Sequence, residues 1–440
     1  MRSRRALRRD ARAILKGALA ECSVSRVFRA RIGMHDSFLK APDFEQRLPE
    51  RNRTLILAAG KAAATMARSF LRIFPRGLGL HGLAVVPADS GRPPKSLRVR
   101  IGAHPYPSRR SERAGLDLMR RVRSARSGDT LVYLISGGAS ALAAVPLPGL
   151  LGIAEKRLLH RSLIESGLGI REINIVRKHF SAIKGGRLAA LAPQADHLTF
   201  LWSDVAPGNP ESVGGGPTLP DPSTWEEARS ILTDSCILAA LPAALRGRLD
   251  RRPWPETPKP GDPCFARLRW SVLADSGLLV DAAAREARQL GYATKVVRLD
   301  EGVSADALLD EFLKSPRDRS PGPRCLLAGG ELRRESRGWK GRGGRAQDFA
   351  AAAAVRLQGS QGRLVLAAGS DGKDGSSPAA GAMADGATVA RAARLGFDLA
   401  ASRSRGDTYP VFEALGDALI TGPTGNNLRD LYLLLDSPRR

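Results

Sequence analysis

The sequence predicts an α/β protein of two domains: a larger Rossmann-like α/β/α N-terminal domain and a smaller α/β C-terminal one. Three observations carry this. A length of 440 residues is enough for two or three units that each bury a core, and two is the expectation. One arrangement recurs, in which a short β-branched or leucine-rich run ends in glycine with a small polar or charged residue and leads into a helix-forming stretch. The runs themselves are continuously apolar, as in strands buried on both faces of a parallel sheet.

Five segments show the arrangement: TLILAAGKAAATMARSF (54 to 70), TLVYLISGGASALAAV (130 to 145), RCLLAGGE (324 to 331), RLVLAAGSDGKDG (363 to 375) and ALITGPTGNNLRDLYLLL (418 to 435). Ligands bind beyond the carboxyl ends of parallel strands, so these glycine clusters are expected to line one or two crevices. Upstream of them, MRSRRALRRDARAILKGALAECSV lacks a signal peptide's long apolar core and reads as an amphipathic helix. The most loop-like interior stretch, RRPWPETPKPGDPC (251 to 264), holds five prolines, which sets the expected domains at 1–260 and 261–440. KSPRDRSPGPR (314 to 324) reads as a surface loop between a helix and a strand.

Composition excludes more than it selects. Sixty-nine Lys+Arg against 44 Asp+Glu leave a formal charge of +25, which would attract nucleic acid, anionic membranes or acidic metabolites alike. The arginines are scattered, and a coding bias explains them without a polyanion partner. No apolar run is long enough to span a bilayer. Cys22, Cys236, Cys264 and Cys325 are far apart and form no CxxC pair, which suits a reducing cytoplasm.

Several stretches carry chemistry. No GxxxxGK[ST] is present, and GRGGRA (341 to 346), although it matches GxGxxA, follows the polar ELRRESRGWK instead of a strand. In SGGASAL (136 to 142), Ser136, Gly137, Gly138 and Ser140 either cradle an oxyanion at a helix start or make a tight turn. Lys61 follows a strand-end glycine in AAGKAA. INIVRKHFSAIKGGRLA (173 to 189) offers Arg177, Lys178, Lys184 and Arg187; Arg177 and Lys184, seven apart on a helix, share a face that is either a solvated basic surface or an anion clamp. Asp204 sits at a strand end before a glycine- and proline-rich loop, suited to a metal ion, proton acceptance or a turn. Asp371 and Asp374 lie at another strand end. GWKGRGGRAQDFAAAAA (338 to 354) differs from an RGG tail: it stands alone, with Trp339 its one aromatic before a helix-forming run, and reads as an anion site built from Arg342 or Arg345, Gln347 and helix-start amides. The six histidines do not cluster, and His104 in AHPYP reads as structural. Anion loops, basic side chains and strand-end carboxylates together fit phosphoryl transfer.

At this point the chain resembles the glycerate 2-kinases that end in a MOFRL domain. Eight collinear motifs carry the resemblance: AAGKAA (58 to 63), HPYPSRRSERAG (104 to 115), LISGGASALAAVP (134 to 146), EINIVRKHFSAIKGGRLA (172 to 189), SDV…GGGPTLPDPST (203 to 224), GGE…GRGGRAQDFA (329 to 350), GSDGKDGSSPAAGAMADG (369 to 386) and TGPTGNNLRDL (421 to 431). The resemblance implies transfer of the ATP γ-phosphate to the 2-hydroxyl of D-glycerate, a divalent metal, and an active site in the cleft between the two domains. The family's cleft lysine and arginine fall on Lys61 and on Arg342 or Arg345. The chain departs from the family pattern at Ala139, Asn209, Ala346, Asp348 and Pro378, which bears on metal handling and substrate choice.

With this resemblance the expected roles are as follows. Ser136, Gly137, Gly138, Ser140, Gly422, Thr424 and Asn426 hold ATP phosphates; Asp204 with Asp371 or Asp374 holds Mg2+. Lys61 and Arg342 or Arg345 neutralise the transferring group, an aspartate such as Asp204 takes the alcohol proton, and Arg177, Lys184, Glu331 and Gln347 contact substrate. The expected partners are D-glycerate and ATP, without membrane or nucleic acid, and with a homodimer allowed. Three alternatives stand beside this: a hydroxypyruvate reductase-like protein, a degenerate family member, and a non-catalytic nucleic-acid binder. An aromatic content of 5% offers the last few stacking platforms.

Overall fold

The computed structural model describes residues 2–48, 52–74, 80–91, 93–251, 254–315, 322–333 and 341–437; Trp339 and its neighbours lie outside them. The chain divides into two compact units, one of Val27–Leu273 and one of Met1–Arg26 with Ala274–Arg440.

In the first unit, β1 (Gly33–His35), β2 (Phe38–Lys40) and β3 (Glu45–Arg47) form a small antiparallel sheet. The main sheet comprises β4 (Thr54–Ala59), β5 (His81–Val86), β6 (Leu97–Ile101), β7 (Thr130–Ser136), β8 (Asp196–Trp202) and β9 (Leu268–Ala274), in the order β6-β5-β4-β7-β8-β9. β4 to β8 pair in parallel, as their two-faced apolar runs predict. Ala59 aligns with both Val85 and Ile135, and Ser136 with Trp202, so Gly60, Gly137 and Ser203 leave the sheet at one edge. Leu57, Tyr133 and Ile135 pack in one core cluster with Ala114, Leu118 and Val122 of the helix Arg109–Arg123.

The proline-rich stretch does not end this unit. After it the chain returns to add β9 as the sheet's last strand, so the unit runs to 273 where 260 was expected. The N-terminal residues also differ from expectation. Helix Arg4–Glu21 is amphipathic as predicted, burying Leu7, Ala11, Ile14, Leu15 and Ala18, but that face packs on helix Ser276–Gln289, with which it belongs to the second unit. Gly17 permits the approach: a Cβ there would lie 2.4 Å from Glu286 Cδ. Arg4 and Arg8 pair with the buried Asp385, and Arg8 with Asp417.

The second unit's sheet holds β10 (Ala293–Val296), β11 (Arg324–Gly330), β12 (Arg363–Gly369), β13 (Gly381–Asp385), β14 (Ala418–Leu419) and β15 (Asp430–Asp436), ordered β10-β11-β15-β12-β13-β14. Only β10 and β11 are parallel; the other pairs are antiparallel, contrary to the expected parallel sheet. DLYLLLD is a strand, not the helix expected after TGPTGNN. Continuous apolarity reports two covered faces and is silent on direction. Leu326, Ala328, Val365, Ala367, Tyr432 and Leu434 join one core with helices Ala305–Lys314 and Arg345–Arg356, while the alternate residues Leu327, Leu366 and Leu433 are equally buried. Because β15 is antiparallel, its first residue, Asp430, lies beside the last residues of β11 and β12: Gly330 and Gly369 both align with it.

Candidate functional site

The first unit gathers cations at the carboxyl edge of its parallel strands. Gly60 has φ +131°, and a Cβ there would sit 2.1 Å from Ser136 Oγ, so only a bare backbone lets the ends of β4 and β7 close together. The contact is sealed by Ala62 N, which donates to Ser136 Oγ at 3.1 Å, and by Lys61 N, which donates to Gly137 O at 2.9 Å. Gly138, at φ +83°, is flanked by two side chains: a methyl on it would lie 3.1 Å from Lys61 Cγ and 3.3 Å from His104 Cδ2. Partial desolvation, then Lys61 and Arg177, push the His104 imidazole down to about 4, although its outer side is open to solvent; the two cations are the firmer cause.

Behind this edge lies Lys184, only 1% exposed, whose Nζ donates to Ser140 Oγ. Its stem passes over Gly215, where a Cβ would lie 2.8 Å from Lys184 Cδ. Burial, with Lys156 and Arg177, holds Lys184 far below the usual lysine range. Lys156 donates to Phe180 O at 2.6 Å and is pushed down to about 7 by burial, then by Arg177 and Arg187. Burial lowers Arg177 to about 10, and its Nε is enclosed without a hydrogen-bond partner. The buried His160 is driven down by burial and by Arg177, Lys184 and Lys156. Lys178, by contrast, is balanced by Asp221 at 3.0 Å. Among the described residues no carboxylate pairs with Lys156, Arg177 or Lys184.

Arg177 and Lys184 do not share a helix face as the sequence suggested. The helix Ile170–His179 ends before Lys184, and Gly185 and Gly186, both at positive φ, turn the chain. The fold, not the seven-residue spacing, brings the two together. Asp204 follows β8, half-buried at the same edge of the sheet.

The second unit has its own charged cluster. Arg345 opens the helix Arg345–Arg356; its Nη1 meets Glu331 at 3.0 Å and its Nε meets Asp430 at 3.4 Å. Tyr432 Oη donates to Asp430 Oδ2 at 3.0 Å. Burial pushes Asp430 up to about 7 against the pull of Arg345. Burial alone would lower Arg345, but Asp430 and Glu331 outweigh it and raise it. Arg342 is elsewhere: exposed, its guanidinium stacks 4.6 Å from the Tyr409 ring centroid while its backbone N donates to Asp407 at 2.8 Å.

Two expected ligand contacts are occupied internally. Asp374 accepts from Ala346 N at 3.1 Å, Gln347 N at 2.9 Å and Gln347 Nε2 at 3.0 Å, so it caps the helix that Arg345 begins. The helix-start amides are therefore not offered to an anion, and Gln347, with 0% exposure, also donates to Ser377 Oγ at 2.7 Å. Asn426 Nδ2 donates to Cys22 O at 2.9 Å, and its Oδ1 accepts from Asn427 N at 2.9 Å. Thr424 Oγ1 donates to Ser370 O at 2.6 Å, and a Cβ on Gly372 would lie 2.0 Å from Gly422 O, so these two loops interlock.

The expected metal set fits poorly. Among the described residues no group of three or more His, Cys, Asp or Glu could hold an ion. Asp374 is consumed by its cap, and Asp371 Oδ1 accepts from Lys373 N at 2.9 Å. Sequence reasoning passed over Asp430, Lys156 and His160. Asp430 could have been found from its place after a glycine-rich loop; the other two carry no local signal.

The fold and its edges thus define an α/β protein with two six-stranded sheets, a cation-rich glycine edge on one and an arginine-carboxylate cluster on the other. Residues 10–250 match the domain of unknown function DUF4147 and residues 324–430 the MOFRL family. The chain belongs to this two-part family. Over 93% of its length it is 33% identical to a "Putative hydroxypyruvate reductase" of Agrobacterium vitis, covering 93% of that protein. It is 30% identical to the glycerate 2-kinase of Pyrococcus horikoshii, covering 89% of each chain. A solved glycerate kinase from Thermotoga maritima, 28% identical, superposes with a TM-score of 0.81 over 98% of this chain and 100% of its own. Among the described residues no helix is long and apolar enough to cross a membrane.

Proposed function

We propose that the chain is an ATP-dependent glycerate 2-kinase, moving the γ-phosphoryl group of ATP to the 2-hydroxyl of D-glycerate to give 2-phosphoglycerate. The observation that carries this is a set of basic side chains, the buried Lys156 and Lys184 with the half-buried Arg177, with no carboxylate paired to them among the described residues, at a glycine-lined strand edge. Uncompensated buried charge is costly, and a carboxylate or phosphate ligand offsets it. The named relatives supply the reaction such a site would serve.

In this reading Arg177 and Lys184 meet the ligand's anionic group, Lys61 reaches the transferring phosphoryl group, and the amides beside Gly138 hold phosphate oxygens. Asp204 accepts the alcohol proton late in the transfer. Arg345, not Arg342, is the second unit's arginine for the reaction, because Glu331 and Asp430 hold its guanidinium at a strand edge. Mg2+ would arrive with ATP, held chiefly by the nucleotide's phosphates, because among the described residues no group of three or more His, Cys, Asp or Glu is placed to hold it.

The reductase reading that the Agrobacterium vitis name raises is less well supported, because the amides of Ala346 and Gln347 behind GRGGRA are already bonded to Asp374. A coupled ADP-release assay over a panel of small hydroxy acids, with and without Mg2+, tests the proposal. ADP release is expected with D-glycerate and Mg2+; release with none of the acids would refute it.

A further inference from the structure

Arg429, one residue before β15, belongs to neither charged cluster. Its φ is +67°, a left-handed conformation shared among the described non-glycine residues only with Asp36 and Cys236. A side chain with a Cβ adopts it at a cost. The conformation is pinned by Ser370 N, which donates to Arg429 O at 2.9 Å, and by Leu428 N, which donates to Ser370 Oγ at 2.6 Å.

The side chain carries a second cost. Arg429 is only 7% exposed, its Nε is fully enclosed with no hydrogen-bond partner, and among the described residues no carboxylate pairs with its guanidinium. The adjacent Asp430 is turned to Arg345 and Tyr432. A strained backbone and a buried guanidinium coincide at one residue, and among the described residues no carboxylate balances the charge. The backbone beside it belongs to two interlocked glycine loops, 370–375 and 421–426, in which Gly372, Gly375, Gly422 and Gly425 all have positive φ.

We propose that Arg429 is a phosphate-binding residue whose guanidinium receives a phosphate oxyanion at these two loops. The planar fork of arginine matches paired phosphate oxygens, and the anion supplies the missing counter-charge. The site rests on the phosphoryl-transfer reading only for the source of its ligand, either the nucleotide's phosphate chain or the phosphate on the phosphorylated acid.

Arg429→Asn separates a binding role from a structural one, because asparagine tolerates left-handed backbone and carries no charge. Calorimetric titration of wild type and variant with tripolyphosphate, ADP and 2-phosphoglycerate, alongside thermal unfolding, is the test. The expected result is at least about tenfold weaker tripolyphosphate binding by the variant, with Tm unchanged or raised. Weakened ADP binding alone assigns the site to the nucleotide, and weakened phosphoglycerate binding alone assigns it to the acid. Equal binding of all three ligands by both proteins, or lost binding with a lowered Tm, overturns the proposal. A wild type that binds none of the three overturns it together with the kinase reading. If no hydroxy acid is phosphorylated but tripolyphosphate binding still depends on Arg429, the kinase reading falls and the site stands.

Discussion

Lys184 has almost none of its surface in water, bonds only a serine hydroxyl, and shares its surroundings with Lys156 and Arg177. A lysine kept for stability alone would have a carboxylate beside it, as Lys178 has Asp221. Replacing Lys184 with Met should therefore lower turnover by about 100- to 1000-fold, the scale of losing one charge-stabilising donor. Stability should hold or rise, because an apolar side chain of similar length removes an uncompensated buried charge. Steady-state kinetics and a denaturant midpoint on the same preparation check both halves. The residue types in this cluster were legible in the sequence as a basic run, but their arrangement was not. The helix on which the spacing argument depended ends at His179, before Lys184, and Lys156 arrives from a helix some twenty residues upstream of Arg177. The choice between Arg342 and Arg345 likewise needed the fold, since only the cross-strand register places Asp430 beside Arg345.

Among the elements, the helix Arg345–Arg356 shows how a motif's meaning depends on what caps it. GRGGRAQ has the composition of an anion-binding helix start, yet Asp374, a strand and a loop away, reaches its first amides. Asp374→Ala should cost about 1–3 kcal/mol in unfolding free energy by leaving the buried amides and the Gln347 side chain unmet. The loss should appear in the denaturant midpoint, and Asp374→Asn, which keeps one acceptor oxygen, should recover part of it. A similar misreading affected the C-terminal strands. Apolar runs identified β11, β12 and β15 as doubly covered strands, but direction is set by connections, and no local pattern distinguishes an antiparallel insertion such as β15. The glycine clusters after β11 and β12 and before β15 still fall at one edge of the sheet, because an antiparallel strand begins where its neighbours end.

For the whole molecule, the two-unit α/β character was legible from repeated strand-glycine segments, while the partition of the chain was not. Helix Arg4–Glu21 is separated by some 250 residues from the helix it packs on, and its amphipathic period names a buried face without naming the partner. The charge balance leads to a pH prediction. Lys156 sits at about 7 when folded, and Lys184 is also lowered, against an ordinary lysine value of 10.5. Between about pH 7.5 and 8.5 the unfolded chain therefore binds more protons, so stability should rise with pH. Asp430, raised to about 7, acts in the opposite sense mainly below that window. Differential scanning calorimetry should show Tm increasing across it in the free protein. A saturating anionic ligand should flatten the slope by restoring the lysines' proton affinity, whereas a slope unaffected by any anion would argue against a site at this cluster.

The central claim is transfer of phosphate to a particular oxygen, so the most direct measurement is the identity of the product. Incubation of the purified chain with ATP, Mg2+ and D-glycerate, followed by phosphorus and proton NMR, should show ADP and phosphate esterified at the 2-hydroxyl. Phosphate at the 3-hydroxyl, or consumption of hydroxypyruvate with a reduced nicotinamide and no phosphate ester, would contradict it.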